Sequence, residues 1–520
     1  MKYFIPAWYS GHQWWESKME PYFYNQAETT FDDMISLMSM HRLNHQPFQM
    51  IVLNYTPDLR TFLHRHDLFD MTYWSVFDEI QGFQHRTPRA IDYRHLDWPV
   101  GTEFLYLAHM IRAMMPDEMH ADVYFNQDGY VIWIEVFQHN VSKYRYVLDD
   151  RGYVSSIIYF DEAGKPNYQR YLTHDGDWIL QEDLVSGEVS VHEQYAHYFS
   201  QQRYASMSEV IFEYVAQYRD QVFEQTDTVI VAADMRHNKP IADIFAQYKR
   251  CYSVFQQRPH ASIEALESMD PHANWLVDTL DDEQLLEVYR VQRGISNRLL
   301  RITPFDAQPM SNISSQLHET FIGVWIDGMG TEQLLAMLTE LTNYLNQDEA
   351  LRLVLLSKSK PKYALPTELK RQIEAINAQM NEKDETSEAV SELMKGKEPI
   401  DYIQVKYVPF ELDIIEAIST LRIVIDLSKE PDLFLQICCL STGIPQINVR
   451  ATDYVTHKEN GYVVDGETRL HVALDYNLMQ LKNWNKSYAY AMKLAKKYAS
   501  DKIIAQLDAL IEGENDGAEV

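Results

Sequence analysis

Between residues 423 and 449 the chain follows an alternation that few folds accept. Ile423-Val424-Ile425-Asp426-Leu427 is a short apolar run rich in β-branched residues. A loop with Glu430 and Pro431 follows. A helix-forming stretch through Cys438 and Cys439 comes next, then Gly443-Ile444-Pro445 and a second apolar run to Val449. Strand, loop, helix, glycine stop and strand in succession describe a βαβ unit. Its two strands must lie parallel in a sheet covered on both faces.

The same alternation extends upstream. Phe321 to Ile326 and Leu351 to Leu356 read as strands, as does Tyr402 to Val405. Between the first two, Thr331 to Leu345 carries Leu334, Leu335, Leu338, Leu341 and Leu345 on one helical stripe. Residues 378 to 398 are polar and strand-free, which predicts an exposed loop or irregular helix. Leu478 to Leu510 reads as helical, ahead of a polar acidic tail. Residues 301–520 are therefore expected to form one doubly wound domain with a terminal helix.

The first half reads as a second α/β domain, interrupted. Ile51-Val52-Leu53 suits a buried strand, and Leu59 to Phe83 has mixed helical spacing. Val229-Ile230-Val231-Ala232-Ala233-Asp234 reads as a parallel strand ending in a carboxylate, and ligand sites lie beyond such strand ends. In between, turns are signalled at Asp128-Gly129, Arg151-Gly152, Ala163-Gly164, Asp175-Gly176 and Ser186-Gly187. Alternating β-formers separate them, which marks an antiparallel meander. The predicted division is 1–115 with 205–300 for the first Rossmann-like domain, and 116–204 for the insertion.

Composition narrows the function. The formal net charge of -30 disfavours nucleic acid, whose phosphates reward a basic face. No run of about 18 apolar residues exists to cross a membrane, and the start Met1-Lys2-Tyr3-Phe4-Ile5-Pro6 reads as a strand rather than an export signal. Three cysteines, two of them adjacent, build no disulfide framework, so a reducing cytosol is expected.

Local motifs carry little chemistry. Gly328-Met329-Gly330 stands between a strand and a helix, as a phosphate cradle would, but Gln333 occupies the place of the third glycine. His192 and His197 are five apart and leave a shared helical face, and His64 and His66 lack partners, so no metal site is predicted. No Gly-x-Ser-x-Gly elbow or phosphate-loop lysine occurs. Cys438 and Cys439 suit a buried helix as small hydrophobes. Lys482, Lys486, Lys493 and Lys497 share one helical face. Solvent, anionic lipid and an acidic protein patch are all open readings of that face. The tyrosines of the meander, Tyr144, Tyr146, Tyr153, Tyr159, Tyr168 and Tyr171 among them, suit cross-strand packing or the recognition of sugar or peptide.

The segment around Glu430 resembles the donor half of a GT-B glycosyltransferase. Retaining members carry two glutamates eight residues apart here, one for the donor sugar and one for the ribose of its nucleotide. This chain has Glu430 and, eight residues on, Cys438. The whole chain resembles the glycosyltransferase-like accessory secretory proteins of the accessory Sec system, the first of their set of three. The likeness rests on Met1 to Tyr9, on Tyr73-Trp74-Ser75-Val76-Phe77-Asp78, on the meander from Gly152 to Gly176, and on Gly443-Ile444-Pro445 through Asn460-Gly461-Tyr462-Val463-Val464.

That resemblance implies a GT-B fold, with two Rossmann-like domains facing a cleft and an inserted antiparallel β-domain. It implies a protein without sugar transfer and without a cofactor, which joins two sibling accessory proteins in the cytoplasm. The complex would bring a glycosylated serine-rich repeat adhesin to a SecA-type motor ATPase, at the inner face of the plasma membrane. Glu430 becomes a vestigial donor-sugar position and Cys438 a degenerate ribose position. The class also places an arginine and a lysine after the first strand of this domain to hold a diphosphate. Here Gly323 to Gly330 contains no basic residue and includes Asp327. Losing both groups would cost several kcal/mol at a transition state that develops charge on a leaving diphosphate. The alternative is an active retaining glycosyltransferase acting on a Ser/Thr-rich adhesin through Glu430.

Overall fold

Among the described residues, three sheets organise the chain. The computed structural model describes residues 1–9, 11–23, 32–256, 258–359, 365–386, 399–466 and 469–513. Contacts divide the described chain into two units. One holds residues 1–23, 45–276 and 288–299. The other holds helix Asp33–Leu43, the segment Val277–Glu287 and the chain from Leu300.

The first unit contains a seven-stranded sheet and a ten-stranded one. In the seven-stranded sheet, Lys249–Val254, Thr228–Ala232, Lys2–Ile5, Phe48–Val52 and Tyr73–Ser75 pair in parallel, in that order. Thr228–Ala232 is buried along its whole length, because residues of a central parallel strand meet helices on both faces.

The ten-stranded sheet is antiparallel throughout, from Glu103–Tyr106 to Arg203–Tyr204. Its first two strands, Glu103–Tyr106 and Ile111–Met115, lie upstream of residue 116, and their sequences show no clean alternation. Each glycine of the five signalled turns has positive φ, from 75 to 94°. Two further turns use no glycine. His139 with Asn140 and Asp117 with Glu118 adopt φ between 50 and 62°, the geometry of two-residue hairpins. A buried charge cluster anchors the turn at Gly152. Arg151 is 4% exposed and donates to Asp149 at 2.7 Å, to Asp78 at 2.6 and 2.9 Å and to the Phe83 carbonyl at 2.8 Å.

The second unit holds a six-stranded parallel sheet. Its order is Ile403–Tyr407, Leu351–Ser357, Thr320–Trp325, Leu421–Asp426, Gln446–Asn448, Gly461–Val463. Helix Thr331–Leu345 lays Leu334, Met337, Leu338, Leu341 and Leu345 into the core beneath it, while Leu335 stays half-buried. The polar stretch is more regular than its composition suggests: a helix runs Thr367–Thr386, and 387–398 lie outside the described residues. The expected terminal helix is two helices, Leu481–Ala495 and Ser500–Glu512, behind a π-helical turn at Asp475–Met479. No helix among the described residues is long and apolar enough to cross a membrane.

Candidate functional site

The loop that carries Glu430 is built by Asp426 at the end of strand Leu421–Asp426. Its carboxylate accepts the Ser428 amide at 3.0 Å and the Asp432 amide at 2.8 Å, which folds 427–432 back across the strand end. Burial pushes Asp426 up to about 7. Asp432 then caps helix Leu433–Thr442 by accepting the Leu435 amide at 2.9 Å, and Gly443 ends that helix in the left-handed region, φ 74°. These steps place Glu430 just ahead of the helix N-terminus.

Glu430 is not left open to a ligand. Its carboxylate pairs with the Arg450 guanidinium, and the two side chains are 19% and 26% exposed. Arg450, which follows strand Gln446–Asn448, also donates to Asp281 at 3.1 Å, and the Lys429 ammonium lies 3.5 Å from the same carboxylate. Partial burial works to raise Asp281, but Arg450 and Lys429 prevail and hold it below the usual carboxylate range.

A second ion pair occupies the same end of the sheet. Lys358, one residue beyond strand Leu351–Ser357, donates to Asp432 at 2.6 Å and lies 5.5 Å from the Trp325 ring centroid. Asp327 is turned inward. It accepts the Ser357 hydroxyl at 2.6 Å and the Lys358 amide at 2.7 Å, tying two strand ends together. Gly328 has φ 79°, and Gly330 starts helix Thr331–Leu345 without a side-chain cap.

Cys438 is 1% exposed, inside helix Leu433–Thr442, and burial pushes its thiol well up. Cys439 behaves likewise. A buried neutral thiol cannot replace a carboxylate that binds two hydroxyls. The sequence placed Glu430 and Cys438 in one segment. Sequence reasoning missed Arg450 and Lys358, because which strand ends lie side by side decides these pairings. The signal available was one basic residue just past each of two strands.

The lysines lie elsewhere in this unit. Lys482, Lys486 and Lys493 are exposed on helix Leu481–Ala495, and Lys497 sits just past its end. Lys486 donates to Glu459 at 2.9 Å and to the Lys458 carbonyl at 3.0 Å. Of the histidines singled out, His192 caps the short helix Glu193–Tyr198 and meets Trp178 edge-on. No group of His, Cys, Asp and Glu fit to hold a metal occurs among the described residues.

Two parallel α/β units, an inserted antiparallel sheet, and a glutamate loop capping a helix beyond the strand ends define a GT-B glycosyltransferase-like protein. Solved structures agree. The pneumococcal O-GlcNAc transferase GtfA, in complex with UDP and GlcNAc, matches over 99% of both chains with a TM-score of 0.69 at 12% identity. Chains of two assemblies match better. One is the complex of accessory secretory proteins 1, 2 and 3 of Streptococcus pneumoniae, with TM-score 0.77 and 26% identity over 99% of each chain. The other is the Glycosylation Associate Protein complex of Streptococcus agalactiae, with TM-score 0.77 and 28% identity over 98% of this chain and 100% of that one. The chain belongs to the family of accessory secretory protein 1 of the accessory Sec system, whose model matches residues 1–513. The family member of Staphylococcus aureus is 46% identical over 99% of this chain and all of its own length, and that of Streptococcus gordonii is 30% identical over 97% of both.

Proposed function

We propose that this protein is a non-catalytic component of the accessory Sec system that uses a glycosyltransferase fold as a scaffold. It assembles in the cytoplasm with its two sibling accessory proteins and brings a glycosylated serine-rich repeat adhesin to the SecA-type motor ATPase for export. Family membership supports the system, and relatives solved as three-protein complexes support the siblings. The exposed lysines, Lys482, Lys486, Lys493 and Lys497, are offered as a contact with a partner or an anionic membrane face.

One observation carries the non-catalytic reading. The cations at the donor end of the second unit are already matched by acids of the same chain: Arg450 by Glu430 and Asp281, Lys429 by Asp281, and Lys358 by Asp432. A nucleotide sugar would have to displace the two half-buried pairs, Arg450 with Glu430 and Lys358 with Asp432, before gaining any contact, and the second glutamate it would use is the buried Cys438. Replacing Glu430 by Gln in cells tests the reading. Adhesin glycosylation and export both continue if the residue has no donor to hold. Loss of sugar from the adhesin would reverse the assignment in favour of a transferase.

A further inference from the structure

Strand Glu103–Tyr106 is the terminal strand of the ten-stranded sheet, and its outer edge has no strand beside it among the described residues. Its register fixes which backbone groups face outward. Glu103 pairs with Met114, Phe104 with Ala113, Leu105 with Arg112 and Tyr106 with Ile111. The hairpin closes through the Leu107 amide donating to the Met110 carbonyl at 3.0 Å. Hydrogen-bonded pairs alternate along an antiparallel ladder, so Leu105 and Glu103 also bond inward. The N–H and C=O groups of Phe104 and Tyr106 therefore point away from the sheet.

Edge strands of this kind are normally blunted by lysine, proline or a bulge. This strand has none of the three: its one charge is the exposed Glu103 at its first position, and its ladder carries no register shift. Its surroundings are apolar instead. Tyr106 is 68% exposed, Leu105 46%, Leu107 47%, Met114 41% and Val100 97%. Phe104 supplies a firm base, packed edge-on against Tyr93 and Trp98.

We propose that this edge is a docking site for an extended, apolar strand of a sibling accessory secretory protein, which adds to the sheet as an eleventh strand. The inference rests on the proposed assembly with the siblings. Three observations select that occupant. A second copy is disfavoured, because each copy carries a net charge of -30 and a four-residue strand is far short of the roughly 20–30 residues per side of a stable interface. A serine-rich, sugar-bearing segment matches poorly, since Leu105, Tyr106, Leu107 and Met114 expose hydrocarbon or aromatic surface and Glu103 is the one exposed charge on the strand. Relatives matched over their full length were solved together with two other proteins, so further contacts are available to share the interface.

Residue-resolved hydrogen exchange on the full chain, alone and co-purified with the two siblings, tests the proposal. The Phe104 and Tyr106 amides should exchange rapidly in the free chain and become protected in the complex, while Leu105 is protected in both. Tyr106→Pro should weaken assembly about tenfold, by deleting one outward donor while leaving the inward ladder intact. Its thermal unfolding should match that of the wild type. A wild-type complex with Phe104 and Tyr106 still unprotected would overturn the docking site and leave the assembly standing. Failure of the wild-type chain to bind either sibling would overturn both. Protection that grows with the concentration of the chain alone would assign the edge to a second copy and refute the sibling strand.

Discussion

Glu182→Gln should make the first unit more stable at pH 8, although it removes a charge from a hydrogen-bonded cluster. Glu182 lies in strand Trp178–Asp183, 2% exposed, accepting from the Trp15 indole at 2.9 Å and from the Tyr171 hydroxyl at 2.8 Å. No cation is among its partners. Burial, with Glu16 nearby, pushes its carboxyl up from 4.5 to about 7 despite those two hydrogen bonds. Below pH 4.5 the folded and unfolded states both hold the proton and the site has no pH slope. Between 4.5 and 7 only the folded state holds it, so stability falls as pH rises. Above 7 the full penalty stands, roughly 3–3.5 kcal/mol for a carboxyl moved from 4.5 to about 7, at about 1.4 kcal/mol per tenfold change in proton affinity. Glutamine keeps the shape of the neutral acid and can satisfy both neighbours. Urea unfolding followed by tryptophan fluorescence should show near-equal stability at pH 5 and a gain of about 2–3 kcal/mol for the variant at pH 8. A variant less stable than the wild type at pH 8, or an unchanged pH slope, would refute the reasoning.

Two further substitutions probe how the units are held. Arg151→Met strands the Asp78 and Asp149 carboxylates, 8% and 3% exposed, and should cost the first unit about 3–5 kcal/mol in denaturant unfolding. Gly443→Ala puts a Cβ into the Tyr488 ring at a position with φ 74°, and should cost about 2–3 kcal/mol. Gly11→Ala, where a Cβ meets nothing within 4 Å, should leave thermal unfolding unchanged and serves as the control.

Much of this architecture is legible in the residues. The period-two runs between glycine turns and the leucine stripe of Thr331–Leu345 both report directly on burial, so pattern and structure coincide. Where the reading falls short, the cause is local chemistry without a compositional marker. The hairpin at His139-Asn140 reaches positive φ with no glycine, and the strand Glu103–Tyr106 is an edge whose residues follow no alternation. The break between Leu481–Ala495 and Ser500–Glu512 lacks proline and glycine, so the two helices read as one. The donor end was half legible. Glu430 and Cys438 stand eight apart in the sequence, but the capture of Glu430 by Arg450 depends on which strands lie side by side. Asp327 stands in the stretch where the resemblance would place cations for a diphosphate. Its carboxylate instead closes on Ser357 and Lys358.

The central claim is that the donor end is occupied by the chain's own ion pairs and does not work as a transferase site. Isothermal titration of the full chain with nucleotide sugars, run beside a turnover assay on a Ser/Thr-rich acceptor, tests it most directly. The account predicts no heat of donor binding and no sugar transferred, for the wild type and for Arg450→Ala alike, because Cys438 and the uncharged turn at Gly328 to Gly330 remain. Saturable donor binding accompanied by sugar on the acceptor would contradict it.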